Sequence, residues 1–273
     1  MLPEPRTAAG RSAFASLVAA PARAAVVLDF DGTLSPLVDR PEDARPAPGA
    51  MEALARIADV VGHVAILSGR PADVLVGLAG LDPELSGRLE VLGLYGMQRW
   101  RGGVLESPPP APGIAVARER LPQITAGAGD GVHVEEKGLS LAVHTRRAAH
   151  PQEALDALTP KLYRLADETG LSVVTGAFVL ELRTPGPDKG GALADYVART
   201  GAGVVLYAGG DDGDIPVLDT AVGLRDRGVP VAVVCSDRPD GPSALRDSAD
   251  LVVDGPAGMV ALLDALAASV GTG

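Results

Sequence analysis

The sequence predicts an α/β fold: a doubly wound parallel sheet built from both ends of the chain, with an α+β segment inserted between the halves. Two observations carry this. At both ends, short and almost wholly apolar runs alternate with helical patterns, as expected where strands are buried on both faces of a parallel sheet. The middle breaks that rhythm. Residues 107–113 (SPPPAPG) are proline-rich and continue neither a helix nor a central strand. Beyond them, apolar and polar residues alternate, the mark of half-exposed antiparallel strands.

In chain order, residues 13–22 read as an amphipathic helix leading into a first strand at 25–30. The stretch loosely mimics a signal peptide, but cleavage near Ala22 to Ala25 would cut into that strand, so the expected compartment is the cytoplasm. Residues 48–61 place Met51, Leu54, Ile57 and Val61 near helical spacing. A second strand, 63–67, ends at Ser68-Gly69-Arg70-Pro71, and Pro71 suits the first turn of a helix. A third strand is expected at 90–94. In the middle, 114–124 looks helical and 139–145 alternates. Residues 153–167 align Leu155, Leu158, Leu162 and Leu165 on one face. Strands 171–174 and 178–182 flank a hairpin-like break at Thr175-Gly176-Ala177. Thr184-Pro185-Gly186-Pro187 closes the insertion. Strands at 204–208, 231–235 and 251–253, with helices at 189–200, 217–227 and 258–268, complete a Rossmann-like core. The expected domains are a core of residues 1–103 and 186–273 and an inserted α+β domain of 104–185.

Composition narrows the function. In 273 residues, Lys+Arg number 24 and Asp+Glu 35, a net charge of −11. That argues against a nucleic-acid partner. A single cysteine, Cys235, excludes an intrachain disulfide framework and a cysteine-based zinc site. No stretch approaches the ~20 apolar residues that span a bilayer.

The strongest chemical signal is Asp29-Phe30-Asp31-Gly32-Thr33, at the end of the first buried strand. Ligands of open parallel sheets bind at that edge. Two carboxylates at i and i+2 can turn toward one centre, where one attacks and the other moves protons. A second acidic cluster, Gly209-Gly210-Asp211-Asp212-Gly213-Asp214, follows another buried strand at the same predicted edge. Either cluster alone can also be read as an acidic turn; together they suit a hard cation such as Mg²⁺. A metal beside carboxylates suggests an anionic substrate, phosphate above all. Ser68 and Gly69 can donate to it, and Lys189 begins a helix whose N-terminus favours anions.

This set resembles the haloacid dehalogenase superfamily of Mg²⁺-dependent aspartyl phosphatases. Asp29–Thr33, Ser68, Lys189 and Gly210-Asp211-Asp212 are similar to its four motifs, in order. A narrower resemblance is to the trehalose-6-phosphate phosphatase family. It rests on DFDGTLSP at 29–36, ILSGR at 66–70, VEEKGLS at 134–140 running on to His144-Thr145-Arg146, and Glu181-Leu182-Arg183. The resemblance implies that Asp29 attacks phosphorus and that Asp31 is the acid and then the base. It implies that Thr33, Ser68, Gly69 and Lys189 hold the phosphate. Mg²⁺ would lie among Asp29, Asp31 (through its carbonyl), Asp211, Asp212 and Asp214. The insertion would be a cap domain in which Glu135, Lys137, Arg146 and Glu181 contact sugar hydroxyls and which closes over the substrate. The implied reaction is hydrolysis of trehalose 6-phosphate to trehalose and phosphate, in trehalose biosynthesis. The chain departs from the family twice. Gly93-Leu94-Tyr95-Gly96-Met97-Gln98 has Tyr and Gln where the family has His and Glu. Ile215 stands where a metal-shell acid is expected, a role that Asp214 is expected to take over. The alternatives are a phosphatase of glucosylglycerol phosphate, sucrose phosphate or a validoxylamine-type phosphate, or a non-catalytic sugar-phosphate binding module.

Overall fold

The structure, a computed structural model, describes residues 2–38, 40–176 and 178–270. In chain order its strands are β1 (Ala24–Leu28), β2 (His63–Leu67), β3 (Glu90–Gly93), β4 (Gln98–Arg101), β5 (Val104–Glu106), β6 (His133–Glu136), β7 (Ser140–His144), β8 (Ser172–Gly176), β9 (Val179–Arg183), β10 (Val204–Gly209), β11 (Val231–Asp237) and β12 (Leu251–Asp254). The chain divides into two compact units. The larger joins the residues up to Ser107 with those from Pro187 onward; the smaller is Pro108–Gly186.

The larger unit is organised by one sheet, in the order β12-β11-β10-β1-β2-β3-β4-β5. From β12 to β3 neighbours are parallel; β4 and β5 are antiparallel additions. All five residues of β1 are buried, because helices cover both faces. Val26 and Leu28 pack on one side with Phe14, Leu17, Leu54, Ile57 and Leu263. Ala25 and Val27 pack on the other with Leu193, Tyr196, Val217 and Leu224. Two cores leave no polar position in the strand, which explains the unbroken apolar run. The stretch read as an amphipathic helix lies in the helix Ala8–Ala19, which buries Ala13, Phe14 and Leu17. It begins earlier than its apolar run because Thr7 caps it, the Thr7 hydroxyl accepting from Gly10 N at 2.9 Å.

From β1 the chain passes to β2 and β3 on one side. It returns to β10 on the other side of β1, then continues to β11 and β12. Strand order therefore reverses between β1 and β10, the place where open α/β sheets form a ligand crevice at their carboxyl ends. Leu28 is level with Ala208 on one side and Ile66 on the other. The segments after β1, β2 and β10 thus leave the sheet at one height.

The smaller unit is a four-stranded antiparallel sheet, β6-β7-β9-β8. The helices Pro112–Thr125 and Pro151–Thr169 pack Ile114, Leu121, Leu158, Leu162 and Leu165 against Leu141, Val143, Leu180 and Leu182. The pleat sends the intervening residues to the other face. There Glu135, Ala142 and Glu181 stand in one row across β6, β7 and β9. The expected break at Thr175-Gly176-Ala177 falls too early: β8 runs on through Thr175 and Gly176, which pair with Leu180 and Val179 of β9, and Ala177 lies outside the described residues. No helix among the described residues is long and apolar enough to cross a membrane.

Candidate active site

Asp29 directly follows β1. Its backbone N–H still donates to Ala208 O at 2.8 Å, so the carboxylate is carried on the rigid end of the sheet. The chain then turns sharply. Leu34 N and Ser35 N both donate to Phe30 O at 2.9 Å, and Gly32 N donates to Ser35 O at 2.7 Å. Gly32 has φ 79°, a left-handed conformation that residues with a Cβ rarely adopt. The turn holds Thr33 fully buried, its hydroxyl without a hydrogen-bond partner among the described residues. Ser68, also buried, ends β2, and its hydroxyl accepts from Arg70 N at 3.2 Å.

Lys189 opens the helix Lys189–Thr200, whose N-cap Asp188 accepts from Gly191 N at 2.8 Å. Its ammonium is 2 % exposed and meets three carboxylates. It lies 2.7 Å from Asp214 Oδ1, 2.9 Å from Asp29 Oδ1 and 3.4 Å from Asp211 Oδ1. Those residues offer oxygens within 4.8 Å of one another, close enough to share a cation.

Asp214 is fully buried and wholly committed. Oδ1 also accepts from the Tyr207 hydroxyl at 2.5 Å, and Oδ2 accepts from Gly210 N at 2.7 Å and Asp211 N at 2.8 Å. Burial pushes its carboxyl up, but Lys189 and the hydrogen bonds outweigh burial and hold it below the usual range. Asp214, expected from the sequence as an outer metal acid, is placed as the buried counter-ion of Lys189. The turn folds the carboxylate inward, where four donors already satisfy it.

Asp29 contrasts with Asp214. Burial raises its carboxyl well above the usual range, and Lys189 only partly opposes this, with Asp214 and Asp211 adding to the rise. Burial likewise pushes Asp211 up to about 6 against the pull of Lys189. Lys189 itself, disfavoured by burial, is driven well above its usual value by the carboxylates. One ammonium thus faces three carboxylates and leaves two of them short of positive charge. Asp29 Oδ2 is buried with no hydrogen-bond partner among the described residues. An orphaned carboxylate oxygen beside an excess of negative charge fits a divalent cation. Asp29 and Asp211 are the side chains that would hold it.

Asp31 is not among those carboxylates. Arg70 takes both of its oxygens, at 2.6 and 2.7 Å. Asp212 is exposed. Sequence reasoning missed Arg70 as a site residue, although it stands in the quoted ILSGR; its tie to Asp31 spans 39 residues. It missed Tyr207 too, which resembled any other apolar strand residue.

In the smaller unit, Lys137 Nζ lies 3.1 Å from Glu181 Oε2 and 3.9 Å from Glu135 Oε2. His144 Nε2 is 2.9 Å from the same Glu135 oxygen, and the His133 and His144 rings stack at 4.7 Å. Glu181 is 5 % exposed, and its Oε1 has no partner among the described residues. The Arg146 guanidinium lies over the Phe178 ring, 5.7 Å from the centroid. Gln98, at the departure from the family pattern, caps a helix: its Oε1 accepts from Ala72 N at 2.9 Å.

A family model described as trehalose-phosphatase matches residues 27–82 and 120–250. A trehalose-phosphate phosphatase from Mycolicibacterium paratuberculosis is 36% identical over 225 residues, covering 79% of this chain and 56% of that protein. One from Mycobacterium tuberculosis is 34% identical over 254 residues, covering 89% and 61%. The chain thus spans little more than half the length of the curated relatives it matches. Its fold is also that of the C-terminal domain of a trehalose-6-phosphate phosphatase from C. albicans, with TM-score 0.75, 16% identity, and 98% and 99% of the two chains covered. A protein described as related to trehalose-6-phosphate phosphatase gives TM-score 0.70 at 17% identity, covering 91% and 98%.

Proposed function

The chain belongs to the trehalose-phosphatase family, and from that premise we propose that it hydrolyses a disaccharide phosphate, trehalose 6-phosphate first, to the free sugar and phosphate. The observation that carries this reading is Asp29: buried, gripped by Lys189 through Oδ1, and with Oδ2 unpartnered among the described residues at the crevice edge of the sheet. With Oδ2 open to a cation, Oδ1 beside the Lys189 ammonium is the oxygen left to attack a phosphoryl group that the same ammonium would hold.

In the proposed reaction an Asp29 carboxylate oxygen bonds to phosphorus while the bond from phosphorus to the sugar oxygen breaks. Asp31 gives that leaving oxygen a proton. Water then attacks the aspartyl-phosphate, Asp31 takes a proton from it, and phosphate departs. Lys189, Ser68, Thr33 and the Gly69 backbone hold phosphoryl oxygens, replacing their hydration with fixed donors. A divalent cation, Mg²⁺ given donors that are all oxygen, would supply neutralising charge on the phosphoryl oxygens. Release of phosphate across a panel of trehalose, sucrose, glucosylglycerol and pseudo-disaccharide phosphates tests the reading. No turnover on any of them, with stoichiometric binding, would make the chain a binding module.

We assign recognition of sugar hydroxyls to Glu135, Lys137, Glu181 and Arg146, since ionised groups pair strongly with hydroxyl donors and acceptors. Glu181→Gln keeps the shape of the side chain. It is expected to lower kcat/KM for the disaccharide phosphate by about tenfold or more, and far less for a small aryl phosphate that lacks those hydroxyls. Equal losses on both substrates would place Glu181 in folding instead.

A further inference from the structure

Arg70 meets Asp31 with two side-by-side bonds, Nε to Oδ2 at 2.6 Å and Nη2 to Oδ1 at 2.7 Å. One planar fork engages both oxygens, which fixes the plane of the carboxylate as well as its place. Arg70 is itself anchored. Its Nη1 donates to Pro41 O at 2.9 Å, its backbone N–H to Ser68 Oγ at 3.2 Å, and its carbonyl accepts from Leu94 N at 2.9 Å. The segment that receives it is strained. Leu94 and Tyr95 have φ of 48° and 59°, a region that non-glycine residues occupy only when their surroundings impose it. Tyr95 N donates to Ser68 O at 2.9 Å. Its ring covers Gly69, where a Cβ would come within 2.9 Å of the phenol. A strained turn therefore clamps the 68–70 loop, and the last residue of that loop grips Asp31. The pair is mostly sheltered, with side chains 16% and 23% exposed, so solvent does little to loosen the fork. These constraints fix Arg70 from its backbone, from Nη1 and from the strained turn beside it, and through the fork they fix the plane of the Asp31 carboxylate.

We propose that Arg70 is the positioning residue of Asp31, holding its carboxylate in the one orientation from which it exchanges a proton with the leaving oxygen. This rests on the acid–base role given to Asp31 above. The contribution of Arg70 then depends on the leaving group. A sugar oxygen departs only with a proton; 4-nitrophenolate departs without one. Because kcat/KM reports events up to loss of the leaving group, later attack by water does not enter it.

The test compares kcat/KM of wild type, Arg70→Lys and Arg70→Met on trehalose 6-phosphate and on 4-nitrophenyl phosphate. Arg70→Met is expected to lose about 10- to 100-fold on the sugar phosphate and less than about threefold on the aryl phosphate. Lysine, which lacks the fork, restores only part of the loss. In an Asp31→Asn background, Arg70→Met costs nothing further on the sugar phosphate, because its target is gone. Equal losses on both substrates, or a further loss in that background, would overturn the proposal in favour of a phosphate contact or a role in folding. A crystal structure of Arg70→Met decides the matter without turnover: a reoriented Asp31 carboxylate supports the proposal, and an unmoved one overturns it. A wild type that hydrolyses neither phosphate removes the phosphatase reading, while the crystal structure still judges Arg70.

Discussion

Asp29→Asn is expected to lower phosphate release by about four powers of ten or more, with the fold intact. The amide keeps the volume of the carboxylate but cannot attack phosphorus. The fold should survive because Lys189 keeps Asp214 at 2.7 Å and Asp211 at 3.4 Å, so its buried ammonium is never left alone. The substitution also removes a carboxylate that burial already disfavours. Phosphate release with Mg²⁺ present, alongside a thermal melt, makes the check. Near-normal release from a folded variant would rule out the aspartyl-phosphate route.

Asp214→Ala should lower stability by about 3–5 kcal/mol, because it breaks a buried pair from one side. The Tyr207 hydroxyl, Gly210 N and Asp211 N lose their acceptor together, and Lys189 loses its shortest contact. Activity should fall with it, since Lys189 is no longer fixed. Raising the Mg²⁺ concentration should restore nothing, as the lost group serves the ammonium. Urea unfolding and a Mg²⁺ titration of residual activity distinguish the cases. Near-wild-type stability with rescue by excess Mg²⁺ would return Asp214 to the outer metal shell.

These two aspartates show how far the sequence can be read. The β1, β2 and β10 runs announce themselves because both faces of each strand are covered, so burial alone dictates their composition. The residues after them are legible because a strand end fixes where a side chain starts. Where a carboxylate goes next is less so. Nothing in Asp211-Asp212-Gly213-Asp214 says that the last of them turns inward, which depends on Tyr207 and Lys189 from other elements. Arg70 and Asp31 likewise meet only in the folded chain. The β4–β5 ribbon escaped for a different reason. Its Arg99 and Glu106 face each other in register as an ion pair at 2.5 Å, so charge rather than apolar periodicity joins the strands. The helices Pro83–Arg88 and Ser243–Ser248, at six residues each, are too short to show a period.

The reversal of strand order beside β1 bears on how the chain comes to be folded at all. Ala24 pairs with Val204, so the central strand acquires one of its two neighbours only after most of the polypeptide has been made. Until then one edge of β1 is open and apolar, a template for wrong pairing. The smaller unit, by contrast, joins β6 to β7 and β8 to β9 across short connections, and such local pairings form quickly. During synthesis it can close first, drawing in the slack between the two halves and lowering the entropy lost when β10 finds β1. On this account early closure of the smaller unit aids the folding of the larger one. A substitution that unfolds the smaller unit without shortening it, such as Leu158→Asp in its core, is expected to leave the whole insertion as slack and to slow refolding of the larger unit.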